Sequence, residues 1–255
     1  MADPHGRFVW YELMTTDMDA AARFYAGVVG WTVSDFDGDA SYRMFSAGPA
    51  GVGGLMAVPP GAGDMRPGWF GYVGVDDVNA TVDSIVAAGG AVQMPARDLD
   101  GVGRIAMLAD PQGVAFYVMR GTSSEPSVSF NLTAPGHGAW NELGTTDLPA
   151  ALAFYAAQFG WTKGDAMSMG PMGDYQFVHH GGERIGAMMA RPEPGPPPGW
   201  QFYFRVADID AAARATTAGG GTILNGPMPV PGDDHILVAT DPQGATFAVV
   251  GQRNA

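Results

Sequence analysis

Trp10-Tyr11-Glu12 and Trp140-Asn141-Glu142 each place a carboxylate two residues after an indole. In an extended strand, residues i and i+2 share a face. Trp10, Glu12 and Met14 therefore point one way, and Val9, Tyr11 and Leu13 the other. The second set is apolar enough to pack beneath helices, which leaves an aromatic wall with one carboxylate on the opposite face. Trp140 and Glu142 repeat the arrangement. A carboxylate beside indole loses hydration, which raises its pKa and can poise it as a general acid or base. The competing role is structural: a buried carboxylate accepts hydrogen bonds from Trp N–H, Arg or backbone and fixes the sheet. Both roles stay open at this point.

The elements that must position these residues occur twice. Trp10-Tyr11-Glu12-Leu13-Met14-Thr15-Thr16-Asp17-Met18 returns 130 residues on as Trp140-Asn141-Glu142-Leu143-Gly144-Thr145-Thr146-Asp147-Leu148. Phe24-Tyr25 and Gly30-Trp31 return as Phe154-Tyr155 and Gly160-Trp161, and Asp110-Pro111-Gln112-Gly113 as Asp241-Pro242-Gln243-Gly244. A near-constant shift across a whole unit means tandem domains of one fold. The boundaries fall at 6–120 and 139–251, with residues 121–138, rich in Ser, Pro, Gly and Thr, as linker.

Each repeat divides again. Met18, Ala21, Ala22, Tyr25, Val28 and Val29 follow helical spacing, with Asp17 as N-cap and Gly30 as C-terminal stop. Strands are expected near 42–47 and 52–58, then strand 69–75, helix 78–88, and a hairpin of 104–109 and 114–119. The second repeat predicts strand 139–145, helix 148–159, strands near 175–180 and 185–190, strand 200–206, helix 209–218 and hairpin 235–250. Pro192 to Gly199 reads as a rigid loop. Asn131-Leu132-Thr133 has the form of a glycosylation acceptor, and without a secretory signal its occurrence is ascribed to chance.

Composition bounds the function. Hydrophobic residues make up 46% of the 255, which fits a globular chain. The net charge of −13 argues against nucleic acid, since phosphates need Lys and Arg to replace their counterions. No apolar run approaches a membrane span, and Met1-Ala2-Asp3-Pro4-His5 lacks a signal-peptide pattern. Cysteine is absent, which removes thiol catalysis and thiolate metal sites. The expectation is a cytoplasmic protein, monomeric or homodimeric, whose partner is a small molecule.

Thr16-Asp17-Met18 through Phe24-Tyr25 to Gly30-Trp31, Val75-Asp76-Asp77-Val78 and Asp110-Pro111-Gln112-Gly113, with their second copies, resemble the vicinal oxygen chelate superfamily. This superfamily includes glyoxalases, extradiol dioxygenases and bleomycin and fosfomycin resistance proteins. The doubled form, with Trp-x-Glu-Leu opening each repeat, is similar to an actinobacterial branch of two-domain glyoxalase-like proteins without a uniform chemistry. The resemblance implies an α+β fold: a tandem repeat of two glyoxalase-like domains, each of two βαβββ modules forming a curved-sheet cup. A cup can pair modules within a domain or across the two domains, and the sequence does not choose.

Metal-using relatives place His or Glu on the first and last strands of each module. Counting from the motifs, those positions carry Trp10 and Trp140, Phe70 and Gln201, Tyr117 and Ala248, with the remaining position near Met56 and Met188. None of these is a usual ligand for a divalent metal. His179 and His180 are adjacent on a strand and point to opposite faces, and the first repeat has only His5, in a tail. No cofactor, and in particular no divalent metal, is expected.

The cups instead offer Trp10, Trp140, Phe70, Gln201, Tyr117, Met56 and Met188 as ligand contacts, an arrangement of apolar walls and few polar groups typical of small-molecule sites. Arg104 and His235 occupy matching positions. Facing inward, Arg104 could bind a carboxylate or phenolate and His235 could titrate near neutrality; facing outward, they are surface groups or ion-pair partners. Three readings follow. In the first, metal-free cups sequester or carry a hydrophobic or aromatic metabolite. In the second, Glu12 or Glu142 performs metal-independent acid–base chemistry of lyase, isomerase, cyclase or hydroxylase-associated type. The third, a methylglyoxal-detoxifying glyoxalase, is disfavoured by the ligand positions.

Overall fold

The computed structural model describes residues 3–63, 65–191, 195 and 197–254. Residues 1 and 2 and much of the proline-rich loop expected from Pro192 to Gly199 lie outside them. The first repeat runs β1 (Phe8–Thr15), α1 (Met18–Val28), β2 (Thr32–Phe36), β3 (Asp39–Ala47), β4 (Ala50–Ala57), β5 (Gly68–Gly74), α2 (Val78–Ala87), β6 (Ala91–Leu99), β7 (Gly103–Ala109) and β8 (Ala115–Gly121). The second runs β9 (Gly138–Thr145), α3 (Leu148–Phe159), β10 (Thr162–Ser168), β11 (Asp174–His180), β12 (Glu183–Ala190), β13 (Gly199–Arg205), α4 (Ile209–Ala218), β14 (Thr222–Pro229), β15 (His235–Thr240) and β16 (Thr246–Gly251). These are four βαβββ modules. Each repeat forms one eight-stranded sheet, in the orders β2-β3-β4-β1-β5-β8-β7-β6 and β10-β11-β12-β9-β13-β16-β15-β14. The strand pairing thus stays within a repeat.

Every α-helix starts on an aspartate. Asp17, Asp77 and Asp147 accept from the backbone N–H of Ala20, Ala80 and Ala150, and Asp208 from those of Asp210 and Ala211. These bonds satisfy donors that the first helical turn leaves open. The buried face of α1 is Ala21, Phe24, Tyr25 and Val28, at the helical spacing read from sequence.

Sequence patterning missed four strands: β2, β6, β10 and β14. Each ends a sheet and is largely exposed. An edge strand buries little, so it needs no apolar alternation, and it tolerates prolines such as Pro95 and Pro227. The segment between the repeats is ordered by contacts. Ser127 Oγ donates to the Val9 carbonyl at 2.6 Å, Phe130 is buried, and Asn131 accepts from the backbone N–H of Thr133 and Ala134.

The two compact units of the chain do not follow the repeats. One compact unit comprises Met1–Val9, Gly71–Ser127 and Asn141–Trp200; the other comprises Trp10–Phe70, Val128–Trp140 and Gln201–Ala255. Each unit combines parts of both repeats. In the second unit, Tyr25 donates to Asp241 Oδ2 at 3.1 Å and accepts from Trp69 Nε1 at 3.0 Å. Trp31 donates to the Gly136 carbonyl at 2.6 Å, and Phe204 packs 4.7 Å from Trp69. The first unit repeats the pattern: Tyr155 donates to Asp110 Oδ2 at 3.1 Å and accepts from Trp200 Nε1, and Trp161 donates to the Gly6 carbonyl. The duplicated Phe-Tyr, Gly-Trp and Asp-Pro motifs are therefore a framework in which each repeat holds the other.

Candidate functional site

Two sheet faces can be told apart by what they pack against. Tyr11 lies against Phe202 and Phe204, and Trp69 against Tyr25 and Phe204. These residues face the helices. Alternation then sends Trp10, Glu12 and Phe70 to the opposite face. The register adds Met56, paired with Tyr42, and Met44, paired with Gly54. Glu12 is paired with Gly54 and Met14 with Met56. Trp10, Glu12, Phe70 and Met56 thus share one sheet face.

That face has a feature the sequence reading missed. The Tyr42 hydroxyl accepts from Trp10 Nε1 at 3.0 Å. Two glycines make room. A Cβ on Gly54 would lie 1.9 Å from Tyr42 Oη, and one on Gly51 would lie 2.9 Å from Met44 Sδ. Glu12 is buried beside this pair, with 4% of its surface exposed. In the other half of the first repeat, Tyr117 stacks on Tyr72, with ring centroids 4.3 Å apart and planes 4° from parallel.

The second repeat also carries a tyrosine beside its carboxylate. Tyr175 donates its hydroxyl to Glu142 Oε2 at 2.7 Å. Phe177, 5.7 Å from Tyr175, carries the Arg184 guanidinium 4.1 Å above its ring. Trp140 packs on the cluster of Tyr203, Ala248 and Val250, and Gln201 shares the alternation of Tyr203 on β13. Tyr42 and Tyr175 are equivalent, being register partners of Met56 and, by strand alternation, of Met189. They stand 133 residues apart, against 130 for Trp10 and Trp140. A short 3-10 turn, Gly170–Met172, lies between β10 and β11. A search at one fixed shift cannot find this pair.

Four residues singled out from the sequence find their places here, Met188 and His5 against expectation. Met188 does not share the Glu142 face. It pairs with Leu143 on the helix side, is buried, and lines a narrow interior gap with Phe8, Trp161 and Trp200. The equivalent of Met56 is Met189, and a one-residue slip in register exchanges faces. Arg104 does not face inward: its Nη1 reaches Asp98 Oδ1 at 2.8 Å and its Nε reaches Asn79 on α2 at 3.2 Å. It pairs with Arg120, one step off the alternation of Tyr117. His235 matches it, paired with Gly251 rather than with Ala248 or Val250. His5 is not a free tail. Its Nε2 lies 2.8 Å from the Gln158 carbonyl oxygen, and His180 Nε2 lies 2.8 Å from the His5 carbonyl oxygen.

The donor set does not fit a divalent metal. Indole, phenyl, phenol, carboxamide, methyl and thioether groups occupy the counted positions, none a usual ligand for a divalent metal, and Trp10 Nε1 donates to Tyr42. Among the described residues, no group of three or more His, Cys, Asp or Glu is placed to hold a metal ion. Among them, too, no helix is long and apolar enough to cross a membrane.

Comparison with known proteins identifies the family of both repeats. Residues 7–118 and 136–249 each match the Glyoxalase model, which describes the Glyoxalase/Bleomycin resistance protein/Dioxygenase superfamily. The chain is 37% identical over 245 residues to "Putative glyoxylase CFP32" of Mycobacterium tuberculosis, covering 94% of this chain and 93% of that protein. It is 34% identical over 269 residues to the anthracycline biosynthesis protein DnrV of Streptomyces peucetius, covering 97% and 94%. Among solved structures, the Mn(II)-bound glyoxalase from Novosphingobium aromaticivorans aligns with a TM-score of 0.65 at 19% identity, over 98% of this chain and 83% of that one. The 2,3-dioxygenase LapB from Pseudomonas sp. KL28 aligns at 0.66 and 14%, over 99% and 94%. At these identities the structural likeness concerns the fold alone. With both repeats matched, the chain belongs to the Glyoxalase/Bleomycin resistance protein/Dioxygenase superfamily.

Proposed function

We propose that the protein binds a small, planar, hydrophobic metabolite, without a metal ion, on the aromatic sheet faces that carry Trp10 and Glu12 in the first repeat and Glu142 in the second. The observation that carries this reading is the Trp10–Tyr42 hydrogen bond on the Glu12 face. It fixes an indole beside a carboxylate at a position where metal-using relatives place a ligand. Rigid aromatic surface with few polar groups suits a flat ligand. The relatives named for anthracycline biosynthesis point to polycyclic aromatic compounds. In this reading the protein sequesters or carries the ligand.

Titration with hydroxylated anthraquinones, followed by tryptophan fluorescence, tests it. Saturable binding of roughly micromolar affinity or tighter, with the ligand recovered unchanged, is the expected result. Failure to bind any member of a planar aromatic panel would sink the reading. A divalent ion retained through native mass spectrometry would overturn its metal-free part.

One observation favours a second reading. The Tyr175 hydroxyl donates to Glu142 at 2.7 Å, which orients a half-buried carboxylate for proton transfer. Glu142→Gln keeps an acceptor for Tyr175. Turnover that falls by about a hundredfold or more while ligand affinity is retained would establish this second reading. Lactate formation from methylglyoxal would instead point to glyoxalase chemistry.

A further inference from the structure

Gly144 lies two residues after Glu142 on β9, so a side chain there would share the Glu142 face. Its place is taken. An ideal Cβ on Gly144 would fall 1.7 Å from Arg191 Nε and 2.6 Å from Arg191 Cζ. Arg191 follows directly on β12, and its backbone N–H donates to the Thr145 carbonyl at 2.9 Å. The guanidinium therefore lies over the strand on the face that carries Glu142, Tyr175 and Phe177. Its Nε is shielded from solvent and meets no acceptor among the described residues. The first repeat carries Val58 at the equivalent place. There the backbone N–H of Val58 makes the matching bond to the Thr15 carbonyl, and Met14 stands where Gly144 does. The exchange of Met14 and Val58 for Gly144 and Arg191 is a paired one: the glycine removes the side chain that would fill the arginine's seat.

A guanidinium N–H held from water without an acceptor is costly. Its planar fork matches a carboxylate. The neighbouring Glu142 carboxylate already accepts from Tyr175. We propose that the second repeat binds the carboxylate of an aromatic acid through Arg191, seated over Gly144, and that the first repeat has no equivalent selectivity. This rests on the binding reading above and names the ligand's polar end.

Equilibrium dialysis of the full-length protein with anthraquinone-2-carboxylate and with its methyl ester tests it. Wild type is expected to favour the acid by roughly tenfold or more, the scale of one hydrogen bond to a charged group, with one acid-selective site per chain. Arg191→Met is expected to bring the acid-to-ester ratio near one, and Arg191→Lys to keep part of the preference as a point charge. Gly144→Ala displaces only the end of a flexible side chain and is expected to lower the ratio as well. It carries the test if Arg191→Met fails to fold. A wild-type ratio near one, or a folded Arg191→Met or Gly144→Ala protein with the ratio unchanged, overturns the assignment while leaving the binding reading intact. Binding of neither probe overturns both.

Discussion

Tyr25 and Tyr155 are fully buried phenols, each accepting from a tryptophan N–H and donating to a buried aspartate. Burial pushes both well above the usual tyrosine value, and the negative charges of Asp241 and Asp110 add to the effect. Both folded values lie above the unfolded one. Their contribution to stability is thus complete below about pH 10 and is lost as pH rises through the folded values. Asp241 is raised too, because burial outweighs the hydrogen bonds from Ala245, Tyr25 and Gln243. By the same sign its contribution is complete at acid pH and is lost as pH rises through its folded value. Absorbance near 295 nm should therefore report two tyrosines that ionise only together with the loss of circular dichroism at strongly alkaline pH. Tyr25→Phe with Tyr155→Phe is expected to weaken that alkaline transition and to cost about 1–2 kcal/mol per site at neutral pH. Reversible titration of all eight tyrosines in folded protein would contradict the assignment.

At the scale of elements, the parallel pairing of β1 with β4 depends on two adjacent glycines with different duties. A Cβ on Gly53 would lie 2.6 Å from the Tyr11 carbonyl oxygen, which is backbone and cannot yield cheaply. A Cβ on Gly54 would meet the movable end of Tyr42. Gly53→Ala is expected to lower unfolding free energy by about 1–3 kcal/mol in urea. Gly54→Ala is expected to cost less stability but to break the Trp10–Tyr42 bond and weaken ligand binding. Equal losses of stability would contradict this division. The same element shows what was legible in sequence. The alternation of Trp10, Tyr11, Glu12 and Leu13 located its two faces, and the match to the first repeat located helices 148–159 and 209–218, both as observed. Met188 went astray because the shift between repeats changes at the Gly170–Met172 turn, and one residue exchanges faces. Tyr42 and Tyr175 were hidden by the same change. Arg191 was hidden for another reason: its place depends on the absence of a side chain at Gly144, forty-seven residues earlier.

For the whole molecule, the tandem repeat is expected to be a requirement for folding. Each compact unit draws on both repeats. Cutting between repeats would remove Asp241, Phe204 and Phe247 from Tyr25, Trp69 and Phe24. It would equally remove Asp110 and Phe116 from Tyr155. Gln112, whose side chain accepts from the backbone N–H of Thr146 and Asp147 and donates to the Asp147 carbonyl, would be separated from every one of these partners. An isolated half would expose a large contiguous aromatic surface, which drives association in water. Residues 1–127 and 128–255, expressed separately, are therefore expected to give no stable folded monomer. Each half should aggregate or pair with a second copy of itself. Co-refolding should restore a one-to-one complex, because each half carries the aspartate and aromatic partners that the other half's buried tyrosine requires. Sedimentation of each half and of the mixture decides this. A monomeric half with a cooperative thermal transition would mean that each sheet is stable without its neighbour's helices, and that the sites of the two repeats can evolve independently.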